Sequence, residues 1–138
     1  MTKRMAHFPA QFQTLDEIRN FVAEIASQGG FNEKEIYFIQ LATDEAASNI
    51  IEHAYAGVSD GEISITCEMD GSQLTIVLLD HGRSFEPASV HPPNLKADLS
   101  ERRIGGLGVY LMHKLMDDVR YETESDGGNK LTLIKRKG

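Results

Sequence analysis

The order of hydrophobic patterns along this chain predicts an α+β fold. We expect a two-layer sandwich, in which a mostly antiparallel, mixed sheet carries helices packed on one face. Three observations predict it. Two amphipathic helical segments precede two strands joined by a tight turn, and a third helix precedes a closing hairpin. Strands joined mainly by hairpins run antiparallel, and helices cover the apolar face of such a sheet.

The first half of the chain predicts two helices. Residues 14–17 have the pattern of a capping box, with Thr14 as the N-cap, and apolar residues at helical spacing follow. Residues 29–30 are glycines and are expected to end this helix. A second capping-box pattern occupies residues 32–35, and the helix that follows is expected to continue to about Tyr55.

The remaining regular segments have the period of strands. Residues 4–8 are expected to form a short first strand, and residues 62–69 alternate between polar and apolar as a half-exposed strand does. A tight turn at residues 70–72 leads into residues 74–79, whose more uniform apolar character predicts a central strand. A hairpin around residues 125–129 is expected to close the sheet.

Composition limits the class of protein. The chain has 138 residues, the usual size of one domain, and we expect residues 1–138 to form a single one. A net charge of −7 argues against direct contact with nucleic acid or acidic membranes. Cys67 is the single cysteine, which excludes an internal disulfide. Neither a signal peptide nor a membrane-spanning stretch is evident, so a cytoplasmic location is expected.

Three polar side chains recur at four-residue intervals in the second helix. Glu45, Asn49 and His53 would therefore form one stripe along it. A carboxylate such as Glu45 can act as a general base, and the side-chain oxygen of Asn49 can ligate a hard cation such as Mg²⁺. His53 is assigned a structural role. The alternative is a solvated helix face without function.

A carboxylate also follows the predicted central strand, in the sequence Asp80-His81-Gly82. It would lie at the rim of the sheet, where it can accept a hydrogen bond from an amino group such as that of adenine. The alternative is an aspartate that only initiates a turn.

A glycine-rich run opens the third helix. The sequence Gly105-Gly106-Leu107-Gly108 follows residues 83–103, a long stretch without a clear element. Glycines at a helix start let backbone N–H groups approach an anion closely, which favours phosphate. The run is neither a P-loop nor a Rossmann turn, and a flexible hinge is the alternative.

These three signals occur in one order, and together they strongly resemble the GHKL superfamily of ATP-binding domains. Residues 44–55, 80–87 and 105–112 carry the resemblance, which covers nearly the whole chain. Within that superfamily the chain is similar to the small anti-sigma-factor serine/threonine kinases. The Glu-His-Ala-Tyr sequence, the Phe-X-Pro after Asp-X-Gly, and the Gly-Asn pair before the last strand are the reasons.

The resemblance implies a role for each matching residue at the metal and adenine ends of the site. Glu45 would be the catalytic base, and Asn49 would bind the Mg²⁺ that accompanies ATP. Asp80 would bind the adenine amino group, and Gly82 would leave space for the ring. Thr132, on the final strand, would support the adenine side.

The resemblance also implies which residues bind the phosphates of the nucleotide and which form a lid over it. The residues expected to bind the nucleotide there are Arg103, Gly105, Gly106, Leu107 and Gly108. Residues 83–103 would form the ATP lid. Ile104 stands where kinases of this branch carry an arginine that assists transfer, and Arg102 or Arg103 would have to replace it.

The resemblance implies an ATP-dependent serine/threonine protein kinase that acts as an anti-sigma factor in a partner-switching system. Its partners would be a sigma factor and an anti-anti-sigma antagonist of the STAS type, and it would be a homodimer. A non-catalytic ATP-binding module that sequesters a protein partner is the alternative. A structural domain without a ligand would require all three motifs to be coincidental.

Overall fold

The part of the chain that the structure describes forms one five-stranded sheet and three helices. The strands are β1 (Thr2–Pro9), β2 (Glu62–Asp70), β3 (Gln73–Asp80), β4 (Asp118–Thr123) and β5 (Asn129–Arg136). The helices are α1 (Leu15–Gln28), α2 (Glu33–Asn49) and α3 (Ile104–Leu115). This computed structural model describes residues 2–84, 104–125 and 127–138. The predicted α+β class is confirmed, and the first strand is longer than residues 4–8.

The strands lie in the order β1-β2-β3-β5-β4, so β3 is central as predicted. Among the described strands, each of the four pairings is antiparallel, whereas the prediction allowed a mixed sheet. The last strand in sequence, β5, is inserted between β3 and the edge strand β4. This insertion places Asn129 directly opposite Asp80, at the end of the sheet where β3 finishes.

One face of the sheet carries the helices and the core. Alternate residues of β2 and β3 are buried, in agreement with the period of a strand. Helix α2 packs against both α1 and α3, and so forms the centre of the helix layer. The largest fully buried side chains include Ile18, Ile25, Ile39, Ile65, Ile76, Leu78, Met112 and Leu133.

The two predicted capping boxes have different outcomes. At α2 the box is present, since Asn32 Oδ1 accepts from the Glu35 N–H at 2.8 Å and Glu35 accepts from the Asn32 N–H at 3.0 Å. At α1 the box is absent. A 3₁₀ turn, Phe12–Thr14, leads into this helix, so Thr14 has helical backbone angles and its buried side chain makes no capping hydrogen bond. An N-cap needs an extended backbone, which Thr14 does not have.

The end of α2 also departs from the prediction of one uninterrupted helix. The chain passes from α2 into a π-helical turn, Ile50–Ala54, and the Tyr55 N–H donates to the Ile50 carbonyl at 3.1 Å. A π-turn bonds over five residues instead of four, and it therefore rotates the residues that follow. Asn49 is buried while the side chain of His53 is exposed, so the predicted stripe does not extend to His53.

Among the residues described, no helix is both long enough and apolar enough to cross a membrane.

Replacing Asn32 by alanine should lower the free energy of unfolding by about 1 kcal/mol, because the Glu35 N–H loses its acceptor. Urea denaturation measures this change. The control is Thr14→Val, which removes a hydroxyl that makes no capping hydrogen bond and should cost less stability than Asn32→Ala. Equal losses in the two variants would contradict the assignment of the caps.

Candidate functional site

Asp80 is the centre of a buried polar network at the end of β3. Only 1% of its surface is exposed. Its Oδ1 accepts from the Gly82 N–H at 2.9 Å and from Asn129 Nδ2 at 2.9 Å. Its Oδ2 is buried and, within the residues described, has no hydrogen-bond partner. A carboxylate oxygen without a donor is unfavourable in the interior, and it fits a site that a donor on a ligand completes.

The environment of Asp80 acts on its ionisation in two directions. Burial raises the pKa of the carboxyl above its usual value of 3.8. The hydrogen bonds from Asn129 and from the Gly82 N–H oppose this, because they stabilise the charged form. The backbone N–H of Asn129 acts in the same direction. The carboxylate is therefore held by several donors, while its Oδ2 keeps no partner among the described residues.

Gly82 is required for a reason other than the one expected from the sequence. A Cβ at this position would lie 2.3 Å from the carbonyl oxygen of Ala54. The chain after β3 therefore passes directly against the end of the π-turn, and the Arg83 N–H donates to the same carbonyl at 2.9 Å. That Gly82 also leaves space for an adenine ring stays a prediction.

Tyr55 and Arg83 tie the end of the π-turn to the sheet. The Tyr55 hydroxyl donates to the Glu62 carbonyl at 2.7 Å and accepts from the His81 N–H at 2.8 Å. Arg83 Nε donates to the His53 carbonyl at 3.0 Å. The Arg83 bond satisfies a carbonyl at the helix end, and the three bonds together fix this end next to the residues that follow Asp80.

Glu45 and Asn49 lie one turn apart on α2. Glu45 is half-buried, and burial raises the pKa of its carboxyl above 4.5, with further increases from the charges of Asp44 and Glu52. Asn49 is 4% exposed, and its Nδ2 is buried without a partner in the described part of the chain. A half-turn of this side chain about its Cβ–Cγ bond places Oδ1 where Nδ2 lies, so the same position can offer an oxygen.

Asp44, the neighbour of Glu45, is held by the first helix. Arg19 of α1 forms ion pairs with both Asp44 and Asp16. The arginine thus lies between an exposed carboxylate of its own helix and a carboxylate of α2. It links the two helices beside Glu45.

The glycine run forms the start of α3, as predicted. Gly105, Gly106, Leu107 and Gly108 all follow Ile104, the first residue of the helix. Arg103 and all but the first two residues of the expected lid, 83–103, lie outside the described residues.

The side chains of Thr132 and Asp80 do not lie on the same face of the sheet. Its partner across β3 is Val77, three residues before Asp80, and side chains alternate between the two faces of a sheet. Thr132 therefore lies on the face opposite to Asp80, which corrects the expectation that it supports the adenine side.

Asn129, to which the sequence assigned no role of its own, lies beside Asp80 where Thr132 was expected. It pairs with Asp80 in register and bonds to its carboxylate. The signal was available, since Gly128-Asn129 directly precedes the last strand, but the role of Asn129 depends on which strand β5 joins.

The fold and the site define a nucleotide-binding domain of the histidine kinase-like class. The family described as "Histidine kinase-like ATPase domain" matches residues 8–135, and the chain belongs to this family. The predicted superfamily is thereby confirmed.

Curated relatives narrow the comparison to serine-protein kinases. Serine-protein kinase RsbW of Bacillus subtilis (strain 168) is 36% identical over 124 residues, which cover 85% of this chain and 76% of the relative. Serine-protein kinase RsbW of Listeria innocua is 34% identical over 116 residues, which cover 81% of this chain and 74% of the relative. The predicted kinase branch is confirmed by these relatives.

A solved structure supports the fold. The RsbU and RsbW domains of Rv1364c from Mycobacterium tuberculosis match 99% of this chain with a TM-score of 0.70 and 20% sequence identity. This chain spans about a third of that protein, 32%.

Tyr55→Phe should destabilise the protein by roughly 1–3 kcal/mol, because the His81 N–H loses its acceptor and the Glu62 carbonyl loses its donor. Urea denaturation measures the loss. Tyr37→Phe is the matched control, since the Tyr37 side chain is exposed and should contribute little. A Tyr55→Phe variant as stable as Tyr37→Phe would argue against this connection between helix and sheet.

Proposed function

We propose that this chain is an ATP-dependent serine/threonine protein kinase that acts as an anti-sigma factor in a partner-switching system. The observation that carries the proposal is the buried, unpartnered Oδ2 of Asp80 at the end of β3. A buried carboxylate oxygen without a partner can accept a hydrogen bond from the amino group of adenine. The names of the relatives, serine-protein kinases, support the class of reaction.

The residues at the site suit this reaction. ATP supplies the γ-phosphoryl group, and Mg²⁺ balances the phosphate charge. Asp80 would accept a hydrogen bond from the adenine amino group. Asn49 would offer its side-chain oxygen to Mg²⁺, which commonly takes one or two protein oxygens beside phosphates and waters. No all-protein metal cage is needed for that arrangement.

Glu45 would act as the base. Its carboxylate would take the proton of a serine or threonine hydroxyl as the oxygen of that hydroxyl bonds to the γ-phosphorus and the bond from that phosphorus to ADP breaks. The backbone of Gly105, Gly106, Leu107 and Gly108 would hold phosphates at the start of α3, with Arg103 as the proposed cation.

The proposed kinase would have two protein partners. The phosphorylated protein would be an anti-anti-sigma antagonist of the STAS type, and the sequestered protein a sigma factor. We propose a single kinase domain over residues 1–138, a homodimer and a cytoplasmic location, without direct contact with nucleic acid or membrane. The net charge of −7 favours protein partners over nucleic acid.

A second candidate is a non-catalytic ATP-binding module that sequesters a protein partner. It is favoured by Ile104, which stands immediately before the glycine run where an arginine assists transfer in similar kinases. Tight ATP binding without transfer to any antagonist would select this candidate.

Glu45→Gln should lower phosphoryl transfer about 10²–10⁴-fold while ATP still binds, because the amide cannot accept the hydroxyl proton. The measurement is transfer of γ-labelled phosphate to candidate antagonist proteins, with calorimetry for ATP binding. Glu33→Gln is the control, since Glu33 is exposed in the first turn of the same helix. Transfer that survives Glu45→Gln would remove Glu45 from the role of base.

Transfer should also decline as the pH falls through the pKa of Glu45, which lies above 4.5. A base acts only when it is deprotonated, and the raised pKa moves this acid limb upward. Glu52→Gln removes a negative charge that raises the pKa, so the limb should move to lower pH. A pH–rate profile measures the shift, and the exposed Glu122→Gln on β4 should leave the limb in place.

A further inference from the structure

We propose that Tyr55 is a positioning residue that sets the spacing between the two ends of the nucleotide site. One end is the carboxylate of Asp80, and the other is the side-chain amide of Asn49. Tyr55 forms hydrogen bonds with the residue that directly follows each of them. The inference rests on the proposed function, because it takes Asp80 and Asn49 as the contacts for the adenine amino group and for Mg²⁺.

Two buried side-chain atoms mark the ends of the site. Among the residues described, Asn49 Nδ2 and Asp80 Oδ2 are the buried side-chain nitrogen and oxygen atoms that have no hydrogen-bond partner. Asn49 is the last residue of α2, and Asp80 is the last residue of β3. Buried polar atoms are normally paired, so both positions fit a ligand that completes them. One molecule that reaches both must match the spacing between a helix end and a strand end.

The backbone of Tyr55 fixes its place relative to the helix. The N–H of Ile50, which directly follows Asn49, still donates to carbonyls of α2. The Tyr55 N–H donates to the Ile50 carbonyl at 3.1 Å and so closes the π-turn. Tyr55 is therefore held in a defined position relative to Asn49.

The hydroxyl of Tyr55 fixes the strand side. The His81 N–H donates to this hydroxyl at 2.8 Å. Because a peptide unit is planar, the His81 N–H and the Cα of Asp80 belong to one rigid group. An N–H can only donate, so the hydroxyl accepts there, and its own hydrogen goes to the Glu62 carbonyl at 2.7 Å. The hydroxyl thus holds the backbone that carries Asp80.

The ring of Tyr55 connects these two sets of bonds. The residue is 7% exposed, and a Cβ on Gly61 would lie 2.5 Å from the Cγ of the ring. The ring therefore lies directly against the backbone at Gly61, which leaves it little room to move. A second link is independent of the hydroxyl, since the Arg83 N–H donates to the Ala54 carbonyl at 2.9 Å. Tyr55→Phe should therefore loosen the spacing without detaching the strand from the helix.

A fixed spacing has a consequence for a ligand that reaches both ends. When Mg²⁺ holds the phosphates at Asn49, the base of the same molecule is presented to Asp80 at a high effective concentration, provided that the spacing matches. The 6-amino group of the base should then contribute more to affinity with Mg²⁺ than without it. If the spacing is free to vary, the two contributions become independent.

The test measures this coupling by calorimetry. The affinities of ATP and of purine riboside triphosphate, which lacks the 6-amino group, are measured with Mg²⁺ and with EDTA. The coupling factor is the preference for ATP with Mg²⁺ divided by the preference in EDTA. We expect a factor of roughly five or more for the unmodified chain and a factor near one for Tyr55→Phe. The exposed Tyr37→Phe is the matched control and should keep the factor of the unmodified chain.

A loss of stability alone does not change this factor. Unfolded chains bind neither nucleotide, so a smaller folded fraction lowers both affinities equally and cancels in the ratio. Gly61→Ala is the second variant, because it displaces the ring while the hydroxyl remains, and it should also lower the factor. Where affinities in EDTA are weak, the same factor is measured as the increase in Mg²⁺ affinity that the 6-amino group brings, because coupling is reciprocal.

Two results would overturn the inference alone. A factor that Tyr55→Phe and Gly61→Ala leave unchanged would give Tyr55 a purely structural role. A factor near one in the unmodified chain would mean that the two ends act independently. Both results leave the proposed function in place, since ATP still binds. If the unmodified chain binds neither nucleotide with Mg²⁺, the proposed function itself fails, and the inference falls with it.

Discussion

The antiparallel pairing of β3 with β5 is the constraint on which the rest of the site depends. It ends at the pair Asp80 and Asn129, residues that lie 49 positions apart in the sequence. A buried carboxylate is costly unless donors surround it, and this pairing brings the donor to it. A shift of the register by one residue would turn Asn129 to the other face, and Asp80 would lose its side-chain donor.

Hydrogen bonds to main-chain groups join the end of the helix layer to the residues beside this pairing. The end of the π-turn offers the carbonyls of His53 and Ala54, and Arg83 donates to both. The Tyr55 hydroxyl bridges the Glu62 carbonyl and the His81 N–H. A π-turn is uncommon and often lies at functional sites, and here its end directs carbonyls towards the residues that follow Asp80.

The sequence predicted those features that depend on local pattern. The period of two in β2, the capping box at Asn32 and the helix that begins with the glycine run all follow from neighbouring residues. Two failures have different causes, one in strand register and one in the local backbone. The face on which Thr132 lies depends on the register of β5 with β3, and the cap at Thr14 was lost to a preceding 3₁₀ turn. Asn129 was missed because only the strand order places it opposite Asp80.

The charges around Glu45 connect the first helix to the chemistry proposed for the second. The Asp44 carboxylate raises the pKa of Glu45, since two neighbouring negative charges disfavour each other. Arg19 of α1 forms an ion pair with Asp44, and so offsets part of that charge. A base with a raised pKa accepts a proton more readily. The contact between α1 and α2 therefore adjusts the strength of the base, although α1 contributes no residue to the proposed reaction.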